Sequence, residues 1–212
     1  MLIELNYPDP VPVEIEAEET LLLIIDMENE NAHPDGALYI GDPVRKIIPS
    51  IAGLRAKVRR AGGRVAHTQS VRSPDALEFK VFKNTVRKLE GSWGAELINE
   101  LRPGADEPLI VKRTHDCFYG TEMDALLERL GMRPGAGRVI VAGISTRNCV
   151  QSAVMGFSVR DYHVYVPVDC TVQKDEKEVL QAFSLFTSFG YRHNVTVTRS
   201  DLIQLRPLNV AP

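Results

Sequence analysis

The chain has 212 residues, of which 44% are hydrophobic and 25% are charged, and its formal net charge is −3. This length and composition are typical of one globular domain that is large enough to bury its own hydrophobic core. The slightly acidic balance, without a basic cluster, argues against nucleic-acid binding. No apolar run approaches the ~20 residues of a transmembrane helix, so we expect no membrane partner.

The cysteine content and the N-terminal sequence indicate a reducing compartment. The three cysteines cannot all pair with one another, and no two of them have CxxC spacing. The N-terminal residues contain no basic segment followed by a long apolar run, so we predict no signal peptide. Together these features favour a cytoplasmic protein.

The first clear structural signal is an unbroken apolar run at residues 21–25, which is closed by Asp26. A run without alternation indicates a strand that is covered on both faces, as in the centre of a parallel sheet. Ligands gather at the carboxyl ends of such strands, so Asp26 is either functional or a cap for the following loop. Residues 1–19, rich in Pro and Glu, are predicted to be an arm on the surface or on a neighbouring subunit.

Strand-like and helix-like patterns alternate through the rest of the chain. Further strands are predicted at 64–69, 109–112, 138–142, 162–169 and 194–197, and helices at 44–60, 123–130, 147–161 and 179–186. The chain has no internal repeat and no linker. The pattern therefore predicts a single doubly wound α/β domain over residues 1–212, with a six-stranded, mostly parallel sheet and helices on both faces.

Cys149 lies where the strand at 138–142 gives way to the helix at 147–161. Backbone N–H groups are unsatisfied at the start of a helix, and the helix dipole is positive there. This position predicts a lowered thiol pKa and N–H donors for a developing oxyanion. The alternative is a buried cysteine that acts only as a small hydrophobic residue.

Three polar residues, Asp26, Lys112 and Cys149, lie at the ends of three strands that are predicted to be buried. In a doubly wound sheet these ends meet at one crevice. The lysine would favour the thiolate, and the carboxylate could hold the lysine and accept the thiol proton. His67 and His115 are alternative bases, although either histidine could be structural.

Four segments give the chain a resemblance to the isochorismatase-like cysteine hydrolases. They are LIIDMEN (23–29), HTQ (67–69), KR with FYGT (112–121) and VAGISTRNCV (141–150). The resemblance extends from about Leu21 to Asp201, and it is the order and spacing of the segments that make it specific.

The resemblance implies a catalytic triad of Asp26, Lys112 and Cys149. It also implies a cis peptide bond just before Ser145. That bond would direct the backbone N–H groups of Ser145, or of its successors, and of Cys149 towards an oxyanion. We therefore expect these two residues to form the oxyanion site.

The sequence departs from the family pattern at residues that could contact the substrate. Glu28 stands where the family usually has Gln, which adds a carboxylate near the site and could alter the charge preference for substrates. Arg147 could bind a substrate carboxylate through two hydrogen bonds or face solvent. Phe118, Trp93 and Tyr119 could form the walls of the pocket, although Trp93 could equally pack its loop onto the domain.

The resemblance also bears on cofactors and on the reaction. Nicotinamidase members carry an Asp-x-His…His metal cluster soon after the second strand, and residues 70–74 lack it, so we expect no metal and no other cofactor. Members that cleave the isochorismate enol ether typically lack the nucleophilic cysteine. Cys149 therefore favours hydrolysis of a C–N bond in a small amide, carbamoyl or ureido substrate through a thioester. Cys117 and Cys170 are assigned no chemical role.

Two alternatives stay open, namely an isochorismatase-type hydrolase of vinyl ethers and a non-catalytic family member. The resemblance further implies a homo-oligomer, either a dimer or a tetramer. Residues 70–93 are the least regular part of the sequence, and we expect this loop to select the substrate.

Overall fold

The computed structural model describes residues 8–82 and 87–206. The strands in these ranges are β1 (Val13–Glu16), β2 (Thr20–Ile25), β3 (Arg64–Ser70), β4 (Leu109–Lys112), β5 (Arg138–Ile144), β6 (His163–Pro167), β7 (Thr171–Val172), β8 (Val195–Thr198) and β9 (Ile203–Arg206). The helices are α1 (Asn29–Ala32), α2 (Asp42–Arg60), α3 (Leu77–Phe82), α4 (Met123–Arg129), α5 (Gln151–Ser158) and α6 (Glu176–Phe186).

The main sheet has the strand order β4-β3-β2-β5-β6-β8, and every neighbouring pair in it is parallel. The predicted doubly wound α/β fold with a mostly parallel sheet is confirmed. The two-residue strand β7 also pairs with the end of β5, and so short a strand leaves no periodicity in a sequence. The chain extends outward from β2 in one direction and from β5 in the other, so these two strands form the switch point where ligands bind in such sheets.

The unbroken apolar character of β2 is explained by burial on both faces of the sheet. Leu21, Leu23 and Ile25 belong to a core cluster that includes residues of α4, α5 and α6. Leu22 and Ile24 face the opposite side and belong to a second cluster with residues of α2. The two layers of helices hold β2 rigidly, and its carboxyl end is therefore a fixed platform for a site.

Helix α2 shows how local sequence sets the boundaries of an element. It begins at Asp42 with Pro43 in its first turn, where a proline loses no intrahelical hydrogen bond. It ends at Arg60, shortly before Gly62, whose φ of 87° is the left-handed conformation that terminates many helices. No helix in the ranges 8–82 and 87–206 combines the length and apolarity needed to cross a bilayer.

The described part of the predicted N-terminal arm contains regular structure. Strand β1 pairs in parallel with β9 near the other end of the chain, and Ile15 and Ala17 are buried. Residues 1–7 lie outside the described residues. The loop at 70–93 contains helix α3, and the backbones of Arg72 and Leu89 form an isolated β-bridge. Residues 83–86 lie outside the described residues.

Candidate active site

Asp26 lies directly after β2, at the switch point of the sheet. Its φ is 51°, a left-handed conformation that aspartate tolerates better than most residues do. Thr68 on β3 fixes it from the side, because the threonine hydroxyl donates to Oδ1 at 2.5 Å and the threonine carbonyl accepts the Asp26 N–H at 3.2 Å. Asp26 is only 3% exposed, so the charge of its carboxylate needs a partner.

Lys112, the last residue of β4, supplies that partner. Its Nζ lies 2.7 Å from Oδ2 of Asp26 and donates to the carbonyl oxygen of Thr114 at 2.9 Å. The same nitrogen lies 3.2 Å from Sγ of Cys149. The ammonium thus has three partners, and the structure brings all three predicted catalytic residues together at the carboxyl edge of the sheet.

The backbone before Cys149 is shaped by a close approach of two strands. Gly143 has a φ of 111°, and a Cβ atom there would lie 2.1 Å from the carbonyl oxygen of Ile25, so a larger residue would separate β5 from β2. The next peptide bond, between Ile144 and Ser145, is cis, as the resemblance predicts. Residues Thr146–Val150 then form one turn of π-helix before α5 begins, and such turns are frequent at functional sites.

The three groups set one another's protonation states. Burial raises the pKa of the Cys149 thiol to about 12, the Asp26 charge adds to this, and Lys112 offsets only part of it. Burial also raises the pKa of Asp26, but the charges of Lys112 and Lys88 and the hydrogen bonds from Cys149 and Lys112 bring it below its ordinary value. Burial lowers the pKa of Lys112, yet Asp26 and Cys149 together hold it above its ordinary value.

The prediction that the start of the helix lowers the pKa of Cys149 is therefore wrong. Cys149 is only 8% exposed, and its sulfur faces a carboxylate as well as an ammonium, so burial dominates. At neutral pH the site holds a neutral thiol, a carboxylate at Asp26 and an ammonium at Lys112. This state suits a mechanism in which the thiol proton moves to Asp26 as the sulfur attacks, because no preformed thiolate is present.

Residues 20–199 match the family model of the isochorismatase domain. The chain belongs to the isochorismatase family. The ureidoacrylate amidohydrolase RutB of Caulobacter segnis is 27% identical over 208 residues, which cover 86% of this chain and 85% of that protein. The match confirms the resemblance inferred from the four sequence segments.

Solved structures of family members agree with the fold. The N-carbamoylsarcosine amidase from Thermoplasma acidophilum has a TM-score of 0.72 at 26% identity, covering 86% of this chain and 96% of that one. The nicotinamidase PncA from Bacillus subtilis has a TM-score of 0.73 at 20% identity, covering 85% and 99% of the two chains, and this likeness shows the fold alone. The relatives identify the chain as an enzyme of the amidohydrolase type.

The structure separates the two histidines that the sequence left open. Nδ1 of His115 lies 3.3 Å from Sγ of Cys149. His67 is 1% exposed, its Nε2 lies 2.8 Å from a carboxylate oxygen of Glu107, and Arg55 binds the same carboxylate. Burial lowers the pKa of His67 despite Glu107. His67 is thus part of a buried polar cluster, and of these two histidines only His115 contacts Cys149.

The aromatic residues that were predicted to form the pocket walls lie in three different settings. Phe118 is buried, packs edge-on against Phe157 with ring centres 4.8 Å apart, and carries the Arg160 guanidinium over its face. Tyr119 is 73% exposed. Trp93 is half exposed and lines a surface depression. None of the three catalytic candidates is among the residues that line it. These placements favour core packing for Phe118, and the substrate contacts of Tyr119 and Trp93 stay predictions.

Arg147 and the two oxyanion candidates lie on the π-helical turn or directly before it. The Arg147 guanidinium donates to the side-chain oxygen of Gln181 on α6, which favours the alternative in which this residue faces solvent. Ser145 precedes the turn and Cys149 lies within it. Their role as oxyanion donors stays a prediction, as does substrate binding by Arg147.

Glu28 is fully buried and links the loop at 70–93 to the site. One carboxylate oxygen accepts the N–H of Ser70 at 2.5 Å, and the other lies 2.8 Å from Nζ of Lys88. Lys88 also donates to the side chain of Asn31 at 3.0 Å. Nothing in the sequence singles out Lys88 as a residue of the site, because its partner Glu28 is 60 residues away.

Glu28 should make the stability of the protein depend on pH. Burial, with the Asp26 charge adding to it, raises the pKa of Glu28 to about 7 despite the opposing charge of Lys88. The native state therefore holds this proton up to about pH 7, whereas the unfolded chain releases it near the ordinary value of 4.5. Raising the pH through this window favours the unfolded chain, by up to about 3 kcal/mol.

Glu28→Gln should abolish this pH dependence. Urea denaturation from pH 4.5 to 8 should show that the free energy of unfolding of the wild type falls relative to that of the variant. A lost hydrogen bond in the variant would shift its whole curve without changing the slope. Glu18→Gln, at an exposed position, should run parallel to the wild type, and parallel curves for Glu28→Gln would contradict the assignment.

In the ranges 8–82 and 87–206, no group of three or more His, Cys, Asp and Glu side chains is arranged to hold a metal ion. The three cysteines are all free thiols, and all three are buried.

Proposed function

We propose that the chain hydrolyses a C–N bond in a small amide, carbamoyl or ureido compound through a thioester on Cys149. The observation that carries this proposal is the position of Lys112 Nζ, 3.2 Å from Sγ of Cys149 and 2.7 Å from the Asp26 carboxylate. A thiol, an ammonium and a carboxylate in this contact form an activated nucleophile. The names of RutB and of the N-carbamoylsarcosine amidase support the substrate class.

Thioester formation uses all three groups. Asp26 takes the thiol proton while the sulfur attacks the substrate carbonyl carbon, and the backbone N–H groups of Ser145 and Cys149 hold the resulting oxyanion. Asp26 then gives the proton to the leaving nitrogen, the C–N bond breaks, and ammonia or an amine departs. Lys112 stays charged throughout, holding the carboxylate and stabilising negative charge on the sulfur.

The second half of the reaction restores the thiol. Water attacks the thioester carbon, the C–S bond breaks, and the carboxylic or carbamic product leaves. Because Asp26 has already passed its proton to the leaving nitrogen, it is again a carboxylate when the thioester is hydrolysed.

The test is ammonia release from a panel of small amides, N-carbamoyl amino acids, ureidoacrylate and biuret, followed by acid quench and tryptic digestion. We expect release from one class of compound, with the acyl group on residues 148–160, the tryptic peptide that contains Cys149. An acyl group on residues 114–129, which contain Cys117, would contradict the nucleophile. Pyruvate from isochorismate without ammonia from the panel would instead establish the vinyl-ether reaction.

A further inference from the structure

The sulfur of Cys149 has a polar neighbour outside the Asp26–Lys112–Cys149 triad. Nδ1 of His115 lies 3.3 Å from Sγ, in the loop between β4 and α4, three residues after Lys112. This residue is exposed to solvent. An imidazole this close to the sulfur is also close to any carbonyl carbon bonded to that sulfur.

The other two polar neighbours are shut away from solvent. Asp26 is 3% exposed and Lys112 is 1% exposed. Thr68 binds one carboxylate oxygen of Asp26 and Lys112 binds the other. Lys112 stays an ammonium because Asp26 and Cys149 raise its pKa by more than burial lowers it. It therefore has no free electron pair with which to act as a base.

The two halves of the reaction place different demands on a base. Thioester formation moves a proton from the buried thiol to a nitrogen that is already bound in the site, which a buried carboxylate can do. Thioester hydrolysis removes a proton from a water molecule that arrives from solvent. His115 touches both the solvent and the sulfur, so it lies where that water arrives and can take its proton.

We propose that the site works with two bases, Asp26 for thioester formation and His115 for thioester hydrolysis. This inference rests on the proposed thioester reaction. Nδ1 of neutral His115 takes a proton from water while the water oxygen bonds to the thioester carbon. When the C–S bond breaks, the imidazolium returns that proton to the sulfur, so the step consumes one water and leaves His115 neutral and Cys149 a thiol.

The test uses p-nitrophenyl acetate, which acetylates reactive thiols and releases p-nitrophenolate without needing a proton donor. In His115→Asn the amide reaches the position of Nδ1 but does not accept a proton at neutral pH. We expect an unchanged burst of p-nitrophenolate followed by a steady rate that is slower by about 10²-fold. The acetyl group should accumulate on residues 148–160, where mass spectrometry detects it.

An amide substrate gives a second readout. In His115→Asn we expect kcat to fall by about 10²-fold while kcat/KM stays within about threefold of the wild type. The reason is that kcat/KM covers only the steps up to the first irreversible one, the departure of ammonia, which precedes hydrolysis. The control is His163→Asn. His163 is the first residue of β6 and so lies at the amino ends of the parallel strands, away from the site at their carboxyl ends. This variant should leave both constants unchanged.

Two outcomes would overturn the inference. Equal losses in kcat and kcat/KM, with a slower burst, would assign His115 to thioester formation. A wild-type steady rate in His115→Asn would remove it from the reaction. If no compound of the panel releases ammonia but the burst and its slow decay in His115→Asn persist, the proposed substrate class fails and the division between two bases stands.

Discussion

Replacing Cys149 with alanine is expected to lower kcat/KM for ammonia release by at least about 10⁴-fold. The variant keeps Asp26, Lys112 and the backbone turn, but no atom remains to form the thioester. What survives is direct attack of water on a bound amide. Ammonia release under single-turnover and steady-state conditions measures the loss, and thermal unfolding checks that the variant folds.

The matched control is Cys117→Ala. Cys117 is a second buried thiol close to Lys112 in the sequence, and burial raises its pKa as well. Its sulfur belongs to the hydrophobic core, so we expect activity within a factor of about 5 and a modest loss of stability. A Cys149→Ala enzyme that retains a tenth of the wild-type activity would contradict the thioester mechanism.

The convergence of the three catalytic candidates could be predicted from sequence because it needed only two facts. Unbroken apolar runs mark strands, and alternating strands and helices make those strands parallel. Their carboxyl ends then share one edge, which puts Asp26, Lys112 and Cys149 in the same place. The structure has the lysine nitrogen within 3.2 Å of both partners. Burial on both faces holds for β2, whereas β4 is an edge strand on which Leu109 and Val111 are exposed, so the prediction of a buried strand before Lys112 is wrong.

The pKa of Cys149 could not be predicted in this way. The sequence identifies a helix start and a nearby lysine, and both favour the thiolate. The sign of the shift depends on how deeply the sulfur is buried and on the carboxylate beside it, and both are properties of the assembled fold. The difference alters the mechanism, because a protonated thiol needs Asp26 as a base and a thiolate would not.

Contacts between distant segments were also invisible in the sequence. The pairing of β1 with β9 joins two four-residue strands from opposite ends of the chain, each too short for a clear period. The pair Glu28–Lys88 joins the segment between β2 and α1 to the loop at 70–93. His67 and His115 carry the same chemistry, and only the fold decides that one contacts Glu107 and the other the sulfur of Cys149.

The second large effect is expected for Lys112→Met, which keeps the length of the side chain but removes its charge. We expect kcat/KM to fall by at least about 10³-fold and the free energy of unfolding at pH 7 to fall by about 3–5 kcal/mol. The buried Asp26 carboxylate loses its partner at 2.7 Å. Burial then dominates and raises the pKa of Asp26, so the carboxyl is protonated in a larger fraction of molecules and is less available to accept the thiol proton.

The pH dependence of stability separates the charge effect from lost packing. In the wild type the pKa of Asp26 is lowered, so the stability from this ion pair is lost as the pH falls below the ordinary range of a carboxyl. In Lys112→Met the pKa is raised, and the unpaired carboxylate becomes neutral as the pH falls. Urea denaturation should therefore show the two free energies of unfolding approaching each other between pH 7 and pH 4.

A double variant isolates the interaction itself. Adding Asp26→Asn to Lys112→Met removes the uncompensated charge, so most of the lost stability should return while activity stays absent, since neither the base nor the cation remains. Lys46→Met on the exposed face of α2 should change the free energy of unfolding by less than about 0.5 kcal/mol. An equal destabilisation of Lys112→Met at every pH, unrelieved by Asp26→Asn, would mean that the lysine acts through packing alone, and the ion pair could not then be what prepares Asp26 to receive the thiol proton.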